Sequence, residues 1–147
     1  MRKEKGIAII AALIMTSIMM VLAVTFAKIA FNQYKRANMF YGEQQAFYLC
    51  QLGFEESKVV INKRGNVWSA PNLHYLLPAG YNDIIRWFRE GKPYSISRDT
   101  EIGAVRVVKK KGSNIIYIGS KTISKAEKYM ELRYTYPPFK IAAWREI

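Results

Sequence analysis

The sequence has very little of the chemistry that most enzyme active sites use, since it contains one cysteine, Cys50, and one histidine, His74. A single cysteine excludes an intramolecular disulfide, and no Cys or His cluster has the spacing of a zinc or haem site. No serine lies in a G-x-S-x-G motif, so serine–histidine catalysis would depend entirely on His74, which we expect to be a loop or core residue. The sequence therefore predicts a protein that is not an enzyme, with no catalytic residues, no metal, no cofactor and no small-molecule substrate.

Acidic residues are also scarce. The 147 residues include 11 Asp and Glu and 23 Lys and Arg, which gives a formal net charge of +12. This length fits one small domain. Three consecutive lysines, Lys109, Lys110 and Lys111, are expected at a hairpin tip, either as a solvated turn or as a contact for DNA or another anionic surface. The turn has no interleaved aromatic residue on which bases would stack. Both interpretations of the three lysines stay open.

Charge is absent altogether from residues 6–27, directly after a short basic leader at residues 1–6. The apolar run 7–27 has 21 residues, which as a helix reach about 32 Å, close to the ~30 Å hydrocarbon core of a bilayer. A secretory signal peptide has a shorter apolar run and a better cleavage site than the weak T-x-A at Thr25–Ala27. We therefore expect a retained, single transmembrane helix. Its orientation does not follow from charge, since basic residues flank both ends.

Proline is absent before Pro71, so the helix is expected to continue as an amphipathic segment over residues 28–61. Gly42 and Gly53 interrupt this segment and predict places of close packing or of local melting. Five apolar residues recur within one helical arc and form the predicted buried face: Phe40, Phe47, Cys50, Phe54 and Ile61.

The remainder of the chain predicts a connecting region at 62–93 and a β-sheet head at 94–147. In the connecting region, Asn82 and Asp83 are expected to cap a short helix over 84–88 that ends near Gly91. Trp68, Trp87 and Phe88 are expected to fill the space between the long helix and the sheet.

Period-two alternation predicts four strands in the head, at 94–97, 104–108, 115–118 and 129–134. Residues 111–114 predict a hairpin turn, Gly119 and Ser120 a bulge, and residues 140–147 an edge strand or tail. The expected fold class is therefore α+β, a long N-terminal helix packed on a small antiparallel β-meander.

The first 60 residues resemble type IV pilin-like proteins. The resemblance rests on the leader ending in Lys5-Gly6, on the apolar helix that follows at once, and on residues 44–56, which are similar to the pattern A-F-x-x-A-E-A-G-L-E. The minor pilins of the PilX-like sort and the type II secretion pseudopilins are the most similar classes. The resemblance implies a pilin-like fold and a structural subunit that acts in initiation, assembly or at the tip of a type IV pilus or pseudopilus.

The resemblance further implies that a prepilin peptidase cuts after Gly6 and that the new terminal residue, Ile7, becomes N-methylated. It implies the inner membrane and other pilin subunits as partners, with the head on the periplasmic or extracellular side. The chain departs from the family at Ala11, because pilins usually have a glutamate at the fifth position after the cut. A buried terminal amine without that partner is unfavourable, which favours a tip or initiating subunit.

An alternative from another class is a single-pass, membrane-anchored binding module whose leader stays uncut. In that case the basic head would contact DNA or another anionic partner.

Overall fold

The computed structural model describes residues 2–64, 74–75, 77 and 80–147. They form two helices, α1 (Arg2–Arg64) and α2 (Tyr81–Arg89), and six strands: β1 (His74–Tyr75), β2 (Ile96–Thr100), β3 (Gly103–Lys110), β4 (Ile115–Thr122), β5 (Glu127–Thr135) and β6 (Lys140–Glu146). The chain divides into two compact units, Met1–Phe40 and Tyr41–Ile147. The second unit, the head, contains the end of α1, α2 and the sheet. The expected α+β class, a long N-terminal helix packed on an antiparallel sheet, is confirmed.

Strands β2 to β6 form the antiparallel meander that the sequence predicts, each paired with the next along the chain. The turn at residues 111–114 joins β3 to β4, and the C-terminal residues 140–146 form a strand at the edge. One strand was not predicted: β1 pairs parallel to the end of β3, with His74 opposite Lys109 and Tyr75 opposite Lys110. His74 thus has strand backbone, and a two-residue strand is too short to produce a periodic signal.

Small residues make up most of the face of α1 that is buried in its last third. Its buried positions are Gly42, Ala46, Leu49, Cys50, Gly53, Ser57 and Ile61. A Cβ atom built on Gly53 would lie 2.7 Å from Val105 Cγ2 and 2.9 Å from Ile118 Cγ2. The glycines therefore mark close packing and not local melting, because helix backbone and sheet touch there.

This arrangement corrects the predicted apolar face, of which only Cys50 and Ile61 are fully buried. Phe47 and Phe54 are half-buried at its margins, and Phe40, in the first unit, is 62% exposed. The prediction weighted large apolar residues, whereas a helix whose backbone approaches a sheet needs small side chains at the centre of the contact. Phe54 instead packs against the edge strand β6, with its ring 5.2 Å from that of Trp144.

The opposite face of the sheet is covered by α2. Side chains of successive strand residues point to opposite faces, so Gly119 turns away from α1 where Ile118 turns towards it. A Cβ on Gly119 would lie 2.7 Å from the Phe88 ring, and that ring lies 5.6 Å from Tyr129. The prediction that Phe88 fills the space between α1 and the sheet is therefore wrong, since no sequence signal says which sheet face a short amphipathic helix covers.

Trp87, predicted for the same space, also lies elsewhere. Its indole nitrogen donates to the carbonyl of Pro93 at 3.3 Å, and its ring lies 5.9 Å from Tyr75, near the parallel edge of the sheet. Trp68 lies outside the described residues.

Two local predictions need correction. The N-cap of α2 is Gly80, without a side-chain cap, so Asn82 and Asp83 lie inside the first turn. The pairing of β4 is regular through Gly119 and Ser120, and the register shift falls between Arg133 and Tyr134 in β5. The helix does end before Gly91, which has a positive φ of 67° that favours glycine.

Candidate functional site

The candidate processing site, Gly6 and Ile7, lies in the first turns of α1. No atom outside the local helix lies within 4 Å of a Cβ built on Gly6, and the Ile7 side chain is 68% exposed. Ala11, the position of the departure from the pilin pattern, is helical and exposed one turn further on. The structure thus places all three residues on one accessible stretch of helix, and cleavage there stays a prediction.

The charge-free run 7–27 is helical throughout, and each of its side chains is exposed. Its few polar groups are satisfied within the helix, because the hydroxyls of Thr16, Ser17 and Thr25 donate to carbonyls one turn earlier, at 3.0, 2.8 and 2.8 Å. The described part of the chain contains one helix, within Gly6–Lys63, that is long and apolar enough to cross a membrane. A helix with this surface needs cover from lipid or from other apolar helices.

The three consecutive lysines do not form one surface. Lys109 and Lys110 belong to β3, and only Lys111 begins the turn. The Lys109 side chain turns inward: the residue is 7% exposed, its ammonium group donates to the Ser113 carbonyl, and it lies 5.5 Å from the centre of the Tyr134 ring. Burial lowers the pKa of Lys109. Lys110 is half-buried and Lys111 exposed, so two of the three are available to an anionic partner.

Cys50 lies between α1 and the sheet in a small polar cluster. Its thiol is 3.3 Å from the Ser120 hydroxyl, which donates to the Ala46 carbonyl at 2.7 Å. Burial raises the pKa of the Cys50 thiol to about 11, and the hydrogen bond to Ser120 opposes this only in part. The thiol is thus protonated at neutral pH and inaccessible, which suits a structural residue and not a nucleophile.

Two carboxylates on the α2 side of the sheet each gather several donors. Glu131 is 1% exposed and accepts from Arg133 Nε at 2.7 Å and from Arg145 Nη2 at 2.9 Å. The Tyr117 side chain lies beside it on the neighbouring strand, and the pKa of Tyr117 is raised to about 12, first by burial and then by the Glu131 charge. Glu131 therefore holds β4, β5 and β6 together on one face.

Glu127 is the second of these carboxylates. It accepts from Arg89 Nε at 3.0 Å, Lys121 Nζ at 3.1 Å and the Tyr129 hydroxyl at 2.9 Å. Burial acts to raise its pKa, but the hydrogen bonds from Lys121, Tyr129 and Arg89 together lower it below the ordinary value. Because Arg89 is the last residue of α2, this carboxylate ties the helix to the sheet.

Sequence reasoning did not single out Glu127 or Glu131. The signal available was weak: Glu131 lies in the predicted strand 129–134 and Glu127 just before it, both near basic residues, a pattern that solvated strands share. Among the described ranges 2–64, 74–75, 77 and 80–147, no three His, Cys, Asp or Glu side chains lie close enough together to hold a metal ion.

Comparison with protein-family models, with curated proteins and with solved structures finds no match for this chain. Any assignment therefore rests on the chemistry of the residues described above.

Proposed function

We propose that the protein is a minor pilin or pseudopilin, a structural subunit that acts in initiation, assembly or at the tip of a type IV pilus or a type II secretion pseudopilus. The observation that carries the proposal is α1 itself. In this one helix, a charge-free apolar run follows directly on a basic leader, and the last third packs on an antiparallel meander. Neither an ordinary anchor nor a soluble domain requires this combination.

The leader and Gly6 suit removal by a prepilin peptidase on the cytoplasmic side of the membrane. The charged residues 2–5 keep the scissile bond at the membrane surface, and glycine leaves that bond sterically open. Cleavage exposes the amine of Ile7, the expected site of N-methylation. The peptidase is therefore one partner of the chain.

The exposed apolar run 7–27 needs two successive environments in this proposal. Before assembly, lipid covers it as a single span of the inner membrane, with the head on the periplasmic or extracellular side. During assembly, the helices of other pilin or pseudopilin subunits replace the lipid. Small residues let helix backbones approach closely, and this run carries Ala8, Ala11, Ala12 and Ala23.

Ala11 bears on the position of the subunit. In the pilin pattern a glutamate at this position is placed to accept from the terminal amine of a neighbouring subunit. Ala11 offers no acceptor, so a neighbour's amine beside it would be buried without a partner. A subunit at the tip or at the start of a filament avoids that contact, and we assign the protein to such a position.

The test is co-expression of the full chain with a prepilin peptidase, followed by mass spectrometry of the intact product. The expected product lacks residues 1–6 and begins at N-methylated Ile7. Gly6→Leu is expected to remain uncut, because its side chain obstructs the scissile bond. The matched Ala12→Leu variant adds a similar side chain six residues later and is expected to be cut normally.

A product that still begins at Met1 would contradict the proposal. It would favour the membrane-anchored binding module, whose basic head would then contact nucleic acid or another anionic partner. Salt-dependent DNA binding by the uncut chain would support that alternative.

A further inference from the structure

The face of the sheet that carries α2 has a hollow beside that helix, with a volume of about 290 Å³. Part of its floor is Ala104 of β3, which offers one methyl group, whereas the space over Gly119 of β4 is filled by the Phe88 ring. Lys121 pairs with Ala104 across the strands, and Arg106 pairs with Gly119. Both partners have long side chains that line the hollow. The small Ala104 among long side chains thus leaves the hollow, which is at the lower end of the size of small-molecule sites.

One wall of this hollow, the α2 pocket, is aromatic and already ordered. The rings of Phe88 and Tyr94 stack with 5.9 Å between centroids and 15° between planes. The Tyr94 hydroxyl donates to the Phe88 carbonyl at 2.9 Å, which fixes the ring at the end of α2. Tyr129 continues the wall, 5.6 Å from Phe88. A flat ligand ring would meet flat protein rings that need no rearrangement.

The rim of the α2 pocket is basic. Three cationic side chains line it, Arg89, Arg106 and Lys121, against one carboxylate, Glu127. Arg89 and Lys121 already pair with Glu127, at 3.0 and 3.1 Å.

Arg106 is the cation that a ligand could engage. Its guanidinium carbon lies 5.8 Å from the centre of the Tyr94 ring, and its Nη2 pairs at 2.6 Å with Asp99, whose side chain is 77% exposed. The Nη1 of Arg106 donates to the carbonyls of Arg98 and Val105, both at 3.0 Å. A ligand anion can therefore replace the exposed Asp99 at Nη2, through a charge-assisted hydrogen bond.

We propose that the α2 pocket binds a small organic anion that carries a flat ring, with the ring against Tyr94 and the charged group on Arg106. A nucleotide has this chemistry, either free or within single-stranded nucleic acid. The inference does not depend on the pilin proposal, because cleavage after Gly6 and ligand binding in the head are separate measurements.

The test uses the full chain in detergent micelles, labelled with ¹⁵N and titrated with thymidine 5′-monophosphate. The amides of Gly91 and Gly119, which line the pocket, are expected to shift with one common affinity. The amide of Gly112, in the turn after Lys111, is expected not to shift. Thymidine and inorganic phosphate, which each supply half of the chemistry, are expected to bind at least about tenfold more weakly than the nucleotide.

Two variants separate charge from shape. Arg106→Gln is expected to weaken nucleotide binding about tenfold, whereas Lys140→Gln, which removes an equal charge from exposed β6, is expected to change it less than about twofold. Ala104→Leu keeps all charges, fills the floor and is expected to abolish binding. A dispersed amide spectrum for each variant shows that its head is folded.

Several results would overturn the proposal: no shift of the Gly119 amide, inorganic phosphate binding as tightly as the nucleotide, or equal losses in Arg106→Gln and Lys140→Gln. A short oligothymidylate then distinguishes the sources of the ligand. Tighter binding of the oligomer than of the mononucleotide identifies single-stranded nucleic acid, and equal or weaker binding identifies a free small molecule.

Discussion

The contact between Gly53 and the sheet predicts that adding a single methyl group there destabilises the head. In Gly53→Ala, the new Cβ would lie 2.7 Å from Val105 Cγ2, 2.9 Å from Ile118 Cγ2 and 3.3 Å from Val107 Cγ2. All three neighbours are β-branched residues of central strands, with their χ1 angles fixed by packing. None of them can turn away, so the helix must lift from the sheet or the strands must move.

Two opposing effects set the magnitude. Alanine in a helix interior is favoured over glycine by about 1 kcal/mol. Inserting a methyl group into a well-packed contact costs about 1–3 kcal/mol, and three contacts this short place Gly53 at the upper end of that range. We therefore expect Gly53→Ala to lower the free energy of unfolding of the head by about 1–2 kcal/mol, although alanine is the better helix former.

Cys50 provides the assay. It is the single cysteine of the chain, is fully buried, and lies less than one helical turn from Gly53. In the native protein the thiol reacts with a labelling reagent only when α1 opens from the sheet, so the labelling rate at fixed pH reports the free energy of opening. A loss of 1.4 kcal/mol corresponds to about tenfold faster labelling. The assay uses the full chain in detergent and does not depend on the state of residues 7–27.

Gly42→Ala is the matched control, since it makes the same change in the same helix. Its new Cβ would meet Ser124 Oγ at 2.9 Å, a hydroxyl that can rotate away, and Ala126 Cβ at 3.2 Å. The gain in helix propensity and the loss of the Ser124–Thr122 hydrogen bond are each about 1 kcal/mol and nearly cancel. If Gly53→Ala labels no faster than the wild-type protein or Gly42→Ala, the inferred contact is wrong.

Three further substitutions test the α2 side of the sheet. Glu131→Gln leaves Arg133 and Arg145 without their carboxylate and is expected to destabilise the head by about 1–3 kcal/mol, measured by Cys50 labelling. Glu127→Gln is expected to lower the melting temperature at pH 7 but not below the folded pKa of Glu127. Because the pKa of Glu127 is lower in the folded state than in the unfolded state, its ionised form stabilises the fold at a pH above the unfolded-state pKa of about 4.3. This stabilisation is lost as the pH falls through the folded-state pKa. Phe88→Ala removes the ring over Gly119 and is expected to speed amide exchange throughout α2.

Each of these expectations has a contrary result. A Glu131→Gln protein as stable as wild type would mean that the buried carboxylate contributes nothing to sheet pairing. A melting-temperature difference in Glu127→Gln that persists unchanged at low pH would contradict a depressed pKa. Amide exchange that rises equally in β4 and in α2 of Phe88→Ala would show general unfolding and not release of one helix.

The sequence predicted the elements with strong periodic signals and the class of fold they build. The absence of charge over 6–27 and of proline before Pro71 predicted the long helix, and alternation in the last third of the chain predicted the meander. Strand ends were underestimated, because polar residues such as Lys109 and Lys121 continue a strand by backbone pairing without continuing the apolar pattern.

The features that the sequence did not predict are contacts between residues that are far apart along the chain. The pattern of polar and apolar residues does not encode such contacts. Gly53 was predicted as a place of close packing or of local melting and is a place of close packing, but the large apolar residues of the pattern did not show that small residues fill the centre of the contact. The position of Phe88 is set by the absence of a side chain at Gly119, more than 30 residues later. Lys109 was grouped with its two neighbours by charge, but strand alternation turns it inward. The contact between Phe88 and Gly119 depends on the tertiary arrangement, which no local pattern contains, and the direction of Lys109 follows only once β3 is known to extend to it.

The two parts of α1 differ in whether their small residues are already covered, and this difference supports the proposed assembly. In the head, small residues at the centre of the contact bring the helix backbone against the chain's own sheet, so that surface is already occupied. Over residues 7–27, Ala8, Ala11, Ala12 and Ala23 are small as well, but their surroundings are exposed Ile, Leu, Met and Val side chains. In the proposed assembly, these small residues would let the helix of another subunit approach closely. Ala11 offers the terminal amine of such a neighbour no charged partner, so van der Waals packing alone would set the register between the two helices. This weaker control of the register suits a subunit with few neighbours, at the tip or at the start of a filament.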